Sequence, residues 1–286
     1  MFPPLAVPQL AVRVPKLGLI AGGGEIPGLV IAACQAQGRP LHVLALKGHA
    51  DPAVIGDFPA DWLRLGEVAN GFSIFKKAQV EHVLMIGPIR RPSFLELAPD
   101  LKTAAFVARI GMKSLGDDGV LRSVVAELES AGFKVVGIDE VLADCLCPIG
   151  LLGTQEPDEQ ARADIQRGVQ VAIALGKVDV GQSVIVQQGI VLGVEAIEGT
   201  DQLIRRCAGL KRSGPGGVLV KLKKPGQERR VDLPTIGMTT LREVSAAGLR
   251  GIAVQGNGSL VLGRESLTAE ADHLGVFVQG IVVDDQ

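Results

Sequence analysis

The feature that most constrains this chain is an alternation of short apolar runs, glycine turns and helical segments between Lys16 and Ile138. Leu17–Ala21, Leu41–Leu46 and His82–Ile86 are runs of five or six residues, short enough to be buried strands. Residues 26–37 read as a helix with Pro27 in its first turn. Further helices are expected at 72–79, 101–110 and 121–130, and further strands at 62–65 and 133–138. Strands that alternate with helices in this way predict a mostly parallel, Rossmann-like α/β sheet covered on both faces.

The texture changes after Pro148. Residues 150–157 read as a linker and 158–175 as one amphipathic helix. Strands then dominate, at Ser183–Gln187, Ile190–Val194, 218–222, 251–254, 259–262 and 276–282. Helices are expected at 201–207, 240–247 and 265–274. Turn signals at Gln188-Gly189, at 214–217 and at 256–258 look like hairpin connections. The expected plan is therefore a proline-rich leader (1–15), an N-terminal α/β domain (16–149), a linker (150–157) and a C-terminal α+β domain (158–286). A ligand is expected between the two domains.

Composition removes several classes. A net charge of -2 gives no electrostatic case for nucleic acid. Aromatic residues are only 3% of the chain, so a stacking platform for single strands is excluded as well. The four cysteines and four histidines lack zinc-ligand spacing, and the thiols read as small buried hydrophobes of a reducing cytoplasm. The leader has prolines at positions 3, 4, 8 and 15 and no basic n-region, so it is not a secretory signal. No apolar run approaches the ~20 residues of a membrane span.

Chemistry concentrates between Gly189 and Pro234. Glu195, Glu198 and Asp201 precede a dense basic block that includes Lys221, Lys223 and Lys224, and Asp232 follows it. Hard oxygen ligands beside ammonium groups suit a divalent metal and a phosphate-bearing substrate. The competing reading is a solvated basic face balanced by its acids. An Asp among cations should have a depressed pKa and stay ionised, which fits Asp232 as a metal ligand or a base for water; a surface ion pair fits it equally.

Three further motifs lie upstream. Gly22, Gly23, Gly24 and Glu25 stand where a phosphate loop would stand, after a strand and at a helix start. The nicotinamide fingerprint is not met, because Pro27 replaces its third glycine and no acid closes the second strand. The triple glycine serves either a phosphate contact or a tight turn. Gly87 and Arg90 follow a buried strand at the edge where α/β sheets bind ligands. Asp117 and Asp118 lie at a helix start, where capping explains them more simply than metal binding.

Taken in order, LGLIAGGGEIP at 17–27, GPIRRP at 87–92, GDDGVLR at 116–122, GIVLGVEAIEGTDQLI at 189–204 and KLKKPGQERRVDLPTIG at 221–237 resemble the LpxI family. The resemblance implies a two-domain, Mg²⁺-dependent hydrolase of lipid A biosynthesis. Such an enzyme splits UDP-2,3-diacylglucosamine into UMP and lipid X by attack of water on the α-phosphorus. On this reading Asp232 binds Mg²⁺ or activates water, Glu195, Glu198 and Asp201 add metal ligands, and Lys221 and Lys223 act on the phosphates. Gly22, Gly23, Gly24, Glu25, Gly87, Arg90, Asp117, Asp118, Thr200 and Lys224 are the expected substrate contacts. The implied setting is the cytoplasm, with room for peripheral contact with the inner membrane and for a homodimer. A nucleotide-dependent oxidoreductase and a non-catalytic UDP-lipid carrier are the rival readings.

Overall fold

A computed structural model describes residues 13–89 and 117–283. The expected helix at 101–110 and Arg90 lie outside them. Of the described residues, 13–89 and 126–136 form one compact unit, and 117–125 with 137–283 form a second.

The first unit is a parallel sheet of β1 (Leu17–Ala21), β2 (Leu41–Leu46), β3 (Ala60–Leu63), β4 (His82–Ile86) and β5 (Lys134–Val135), in the order β3-β2-β1-β4-β5. The order reverses at β1, which pairs with β2 on one side and β4 on the other. The loops leaving β1 and β4 therefore meet at the carboxyl edge of a topological switch point, where such sheets bind ligands. Helices α1 (Ile26–Ala36), α2 (Pro52–Ile55) and α3 (Val68–Lys77) belong to this unit, and α4 (Asp117–Ser130) crosses from the second. Burial on both faces accounts for the unbroken apolar strands: Leu17, Leu19, Val43, Val83 and Leu84 are fully enclosed. Each such side chain contributes about 1.5–3 kcal/mol relative to exposure.

Two expected strands shift. The third runs 60–63 rather than 62–65, and the last shortens to two residues before a 3₁₀ turn at Ile138–Glu140. The short α2, which the sequence reading passes over, begins where Asp51 caps the amide of Ala53 at 2.8 Å and Pro52 presets the first turn.

The second unit is a mixed six-stranded sheet in the order β6-β13-β11-β9-β7-β8. Its strands are β6 (Gly150–Leu152), β7 (Ser183–Gln187), β8 (Ile190–Val194), β9 (Val218–Lys221), β11 (Gly251–Gln255) and β13 (Phe277–Ile281). β6 occupies the start of the expected linker: those residues pair antiparallel with β13 and close the sheet edge. Only Gln188-Gly189 makes a hairpin, joining β7 to β8; the buried Asp164 carboxylate accepts both of its amides, at 3.0 and 2.7 Å. The other two turn signals precede β9 and β12 (Leu260–Val261) without joining paired neighbours. β12 instead pairs in parallel with β10 (Thr235–Ile236), a two-residue strand that the flanking Pro234 obscures in the sequence.

Each face of this sheet has its own core. Helix α5 (Glu159–Gly176) covers Val184, Val186, Val218 and Val220 with Ala161, Ile165 and Ala172. On the other face, α6 (Thr200–Ala208) and α7 (Met238–Ala246) lay Leu203, Ile204, Cys207, Leu241 and Val244 over Ile185 and Leu219. Helix α8 (Arg264–Leu274) adds Leu267 and Ala271. Side chains alternate along a strand, so Ser183 and Lys221 fall on the face of Ile185 and Leu219, under α6. β9 runs parallel to β11 and β13, and Lys221 ends it at their carboxyl edge.

Candidate functional site

Lys221 follows three fully buried apolar residues and is itself only 7% exposed. Its Nζ donates to Thr200 Oγ1 at 3.0 Å and to the carbonyl of Thr235 at 2.9 Å. Thr200 is the first residue of α6 and hangs over the end of the sheet. Its hydroxyl donates to Glu195 Oε1 at 3.1 Å and lies 3.2 Å from Ser183 Oγ. A hydroxyl has one proton, so with Lys221 donating to Thr200 and Thr200 donating to Glu195, Ser183 is the donor of the remaining pair.

Two groups in this cluster are incompletely satisfied. Glu195 is 7% exposed, yet among the described residues its Oε2 has no hydrogen-bond partner. The Lys221 ammonium has three hydrogens and, among the described residues, two acceptors. An orphaned buried carboxylate oxygen is costly and calls for a partner such as a water, an ion or a ligand. Burial pushes the Lys221 pKa down, while the charges of Glu195, Asp201 and Asp232 oppose that and favour its ammonium form. These three carboxylates therefore act on one buried cation.

Asp201 sits beside Thr200 in the first turn of α6, where the helix dipole favours an anion, and its Oδ1 accepts from Thr240 Oγ1 of α7 at 3.2 Å. Asp232 is half-buried and its Oδ2 accepts from the side-chain amide of Gln227. The Asp232 backbone amide bonds back to the carbonyl of Glu228 at 3.2 Å, so this carboxylate rides on a tight turn rather than a free strand.

Not every expected residue joins. Glu198 turns away: Oε1 accepts from Arg206 at 2.7 Å, Oε2 accepts the amide of Ala196 at 3.2 Å, and the Arg206 guanidinium holds its carboxyl below the usual range. Its neighbour Ile197 is fully exposed, which places this bend of the loop in solvent. Lys224 is ion-paired with Asp179. The backbone amide of Lys223 bonds Gln255 Oε1 at 3.1 Å, beyond the end of β9. Asp117 and Asp118 open α4. An open cavity lined by Pro148, Leu151, Arg264, Thr268 and Asp272 lies in the same unit, and none of the candidate residues lines it.

The glycine loop departs from a phosphate cradle. The amide of Gly22 bonds the carbonyl of Ile86 at 2.8 Å, and that of Gly23 bonds the carbonyl of Pro88 at 2.9 Å. A Cβ on Gly22 would lie 2.4 Å from the Gly87 oxygen, and one on Gly87 would lie 2.4 Å from the Gly23 oxygen. These glycines let two loops touch backbone to backbone, and two of their amides are already committed. Gly24 and Glu25 remain exposed at the start of α1, where Glu25 makes no side-chain cap.

Among the described residues no group of three or more Asp, Glu, His or Cys side chains is placed to hold a metal by itself. Mg²⁺ is ordinarily held by one or two carboxylates together with waters and substrate phosphates, so Glu195 with its orphaned oxygen, joined by Asp201 or Asp232, fits that donor chemistry. Ser183, Thr240, Gln227 and the Thr235 carbonyl escape the sequence reading. Single polar residues without a motif announce themselves only once the fold surrounds them. Among the described residues no helix is long and apolar enough to cross a membrane.

Residues 16–145 match the model of the LpxI N-terminal domain, and residues 148–279 match that of the LpxI C-terminal domain. The chain is 40% identical over 273 residues to the UDP-2,3-diacylglucosamine pyrophosphatase LpxI of Caulobacter vibrioides, covering 93% of this chain and 97% of that protein. Among solved structures, the NAD complex of Thermus thermophilus UDP-glucose 4-epimerase aligns over 94% of this chain and 85% of its own at 13% identity. Its TM-score of 0.30 is too low to inform fold or activity.

Proposed function

The chain belongs to the LpxI family, and from that premise we propose that it hydrolyses the pyrophosphate bond of UDP-2,3-diacylglucosamine to UMP and 2,3-diacylglucosamine 1-phosphate (lipid X), with Mg²⁺ and by water attack on the α-phosphorus. The observation that carries the reading is the buried cluster of Lys221, Thr200 and Glu195, in which a carboxylate oxygen and an ammonium hydrogen are left over among the described residues. Diphosphate hydrolysis calls for those two kinds of group, since charge must be neutralised on non-bridging oxygens and a cation held beside them.

In this scheme Glu195 and Asp201 hold the metal, which when bound would withdraw charge from the phosphate oxygens. Lys221 keeps a rigid ammonium at the carboxyl edge of β9 and gives its remaining hydrogen to a phosphate oxygen. Asp232, held by the Gln227 amide, orients the attacking water and takes up its proton. The new P–O bond forms at the α-phosphorus as the bond from that phosphorus to the bridging oxygen breaks, and lipid X leaves with the bridging oxygen. Gly24, Glu25 and Gly87 are assigned to the nucleotide, because loops at the switch point are where an α/β sheet receives one, and the family likeness adds Arg90. The protein would work in the cytoplasm with peripheral access to the inner membrane.

The test is phosphorus NMR of products formed in ¹⁸O-labelled water. Label is expected in UMP and not in lipid X; label in lipid X would overturn the direction of attack, and uptake of substrate without cleavage would favour the carrier. Asp232→Ala should reduce turnover by about 10²–10³-fold, as removal of a group acting in the transition state does.

A further inference from the structure

We propose that Gln227 is the positioning residue for the Asp232 carboxylate, an inference that rests on the role of Asp232 given above. Lys224-Pro225-Gly226-Gln227 forms a β-turn closed by the Gln227 amide on the Lys224 carbonyl at 3.1 Å. Proline at the second position and glycine with φ +76 at the third define type II geometry, which a Cβ at Gly226 would strain. The turn folds Gln227 back over the preceding residue, and its side chain is buried, 5% exposed.

The orientation of that side chain follows from chemistry. The Lys224 backbone amide can only donate, and it donates to Gln227 Oε1 at 2.8 Å. The carbonyl end of Gln227 is thereby committed, so its NH₂ end faces Asp232 Oδ2. A second turn, with the Val231 and Asp232 amides on the Glu228 carbonyl at 3.1 and 3.2 Å, brings the carboxylate round to meet it. Arg230 holds Glu228 at 2.8 Å and keeps that neighbouring acid occupied. Gln227 thus takes its bearing from the strand-end backbone and transmits it to one oxygen of Asp232. Groups that orient an acting carboxylate are worth about 10- to 100-fold in activity.

Two variants separate this role from a purely structural one. Gln227→Glu keeps an acceptor for the Lys224 amide but sets a like charge against Asp232. Gln227→Met keeps the shape and loses both bonds. Both should lower kcat about 10- to 100-fold with KM for UDP-2,3-diacylglucosamine within threefold, and neither should add to the loss in Asp232→Ala when combined with it. A readout independent of turnover is the Gln227 side-chain NH₂ resonance in selectively ¹⁵N-glutamine-labelled protein without metal. It should lie downfield in the natural sequence and move upfield in Asp232→Ala. Natural turnover in Gln227→Glu, additive losses in the double variant, or an NH₂ resonance indifferent to Asp232→Ala would each overturn the assignment. Natural turnover in Asp232→Ala would instead remove the reading of Asp232 on which it stands.

Discussion

The glycine loop of the first unit and the lysine cluster of the second make opposite use of the same resource, backbone and side chain at the carboxyl end of a strand. In the first, Gly22, Gly23 and Gly87 exist to let two loops approach closely, and two amides that a phosphate would need are already bonded. In the second, apolar packing under α6 encloses polar groups and, among the described residues, leaves two of them short of partners. The conspicuous motif spends two of its amides on architecture, whereas the lysine at the end of VLVK is a buried cation acted on by three carboxylates. Unsatisfied burial is the better guide, because it costs free energy that packing alone gives no reason to spend.

Lys221→Met offers the hardest blow to this contrast. It keeps volume and removes the buried cation on which the charges of Glu195, Asp201 and Asp232 act. Losing the charge-assisted bonds to Thr200 and the Thr235 carbonyl should cost about 1–3 kcal/mol, and the lost phosphate contact should cut kcat by about 10²–10³-fold. Chemical denaturation and steady-state turnover on the folded fraction measure the two separately. Loss of stability with turnover intact would return Lys221 to an architectural role and dissolve the difference between the regions.

How much of this was legible in advance follows the same division. Strands buried on both faces, such as Leu17–Ala21 and Ser183–Gln187, declare themselves as apolar runs, and the hairpin at Gln188-Gly189 does so through its glycine. β6 and β10 do not, because two or three residues carry no period and their pairing partners, β13 and β12, are distant in sequence or hidden by Pro234. In the site, the charge pattern and family likeness set Glu195, Glu198, Asp201 and Asp232 beside Lys221, Lys223 and Lys224 without selecting Lys221 as the buried one. The exclusion of Glu198 was not legible, since the short connection from β8 to α6 that holds both acids bends in a way the sequence does not show. Gln227 required the turn geometry before its amide had a direction.

Gly87→Ala tests the architectural side. Its φ of +99 and the 2.4 Å approach of a new Cβ to the Gly23 oxygen both demand a shift of the loop. Strained backbone of this kind costs about 1–3 kcal/mol, which thermal unfolding should register. If the loop also receives the nucleotide, KM for the UDP-lipid rises while kcat stays fixed, the mark of lost uniform binding. A fall in kcat instead would place the first unit in the chemistry and erase the contrast from the other side.

The smallest effect is expected at Glu198, and it is informative for that reason. Glu198 stands three residues from Glu195 and two from Thr200, so by sequence it belongs with the ligand set; by geometry it belongs to Arg206. Its side chain is 27% exposed and its partner's 47%, an environment in which an ion pair contributes below ~1 kcal/mol. Its pKa is held low by the Arg206 bond, so whatever stability the pair adds is present above the ordinary glutamate pKa and fades as pH falls through the lowered value. Glu198→Ala should leave turnover and the Mg²⁺ concentration for half-activation within threefold of the natural sequence, whereas Glu195→Ala should weaken both. Equal sensitivity of the two would mean that the loop closes over substrate and brings Glu198 inward, and burial at Glu195 would then no longer distinguish the acids that act from those that merely neighbour them.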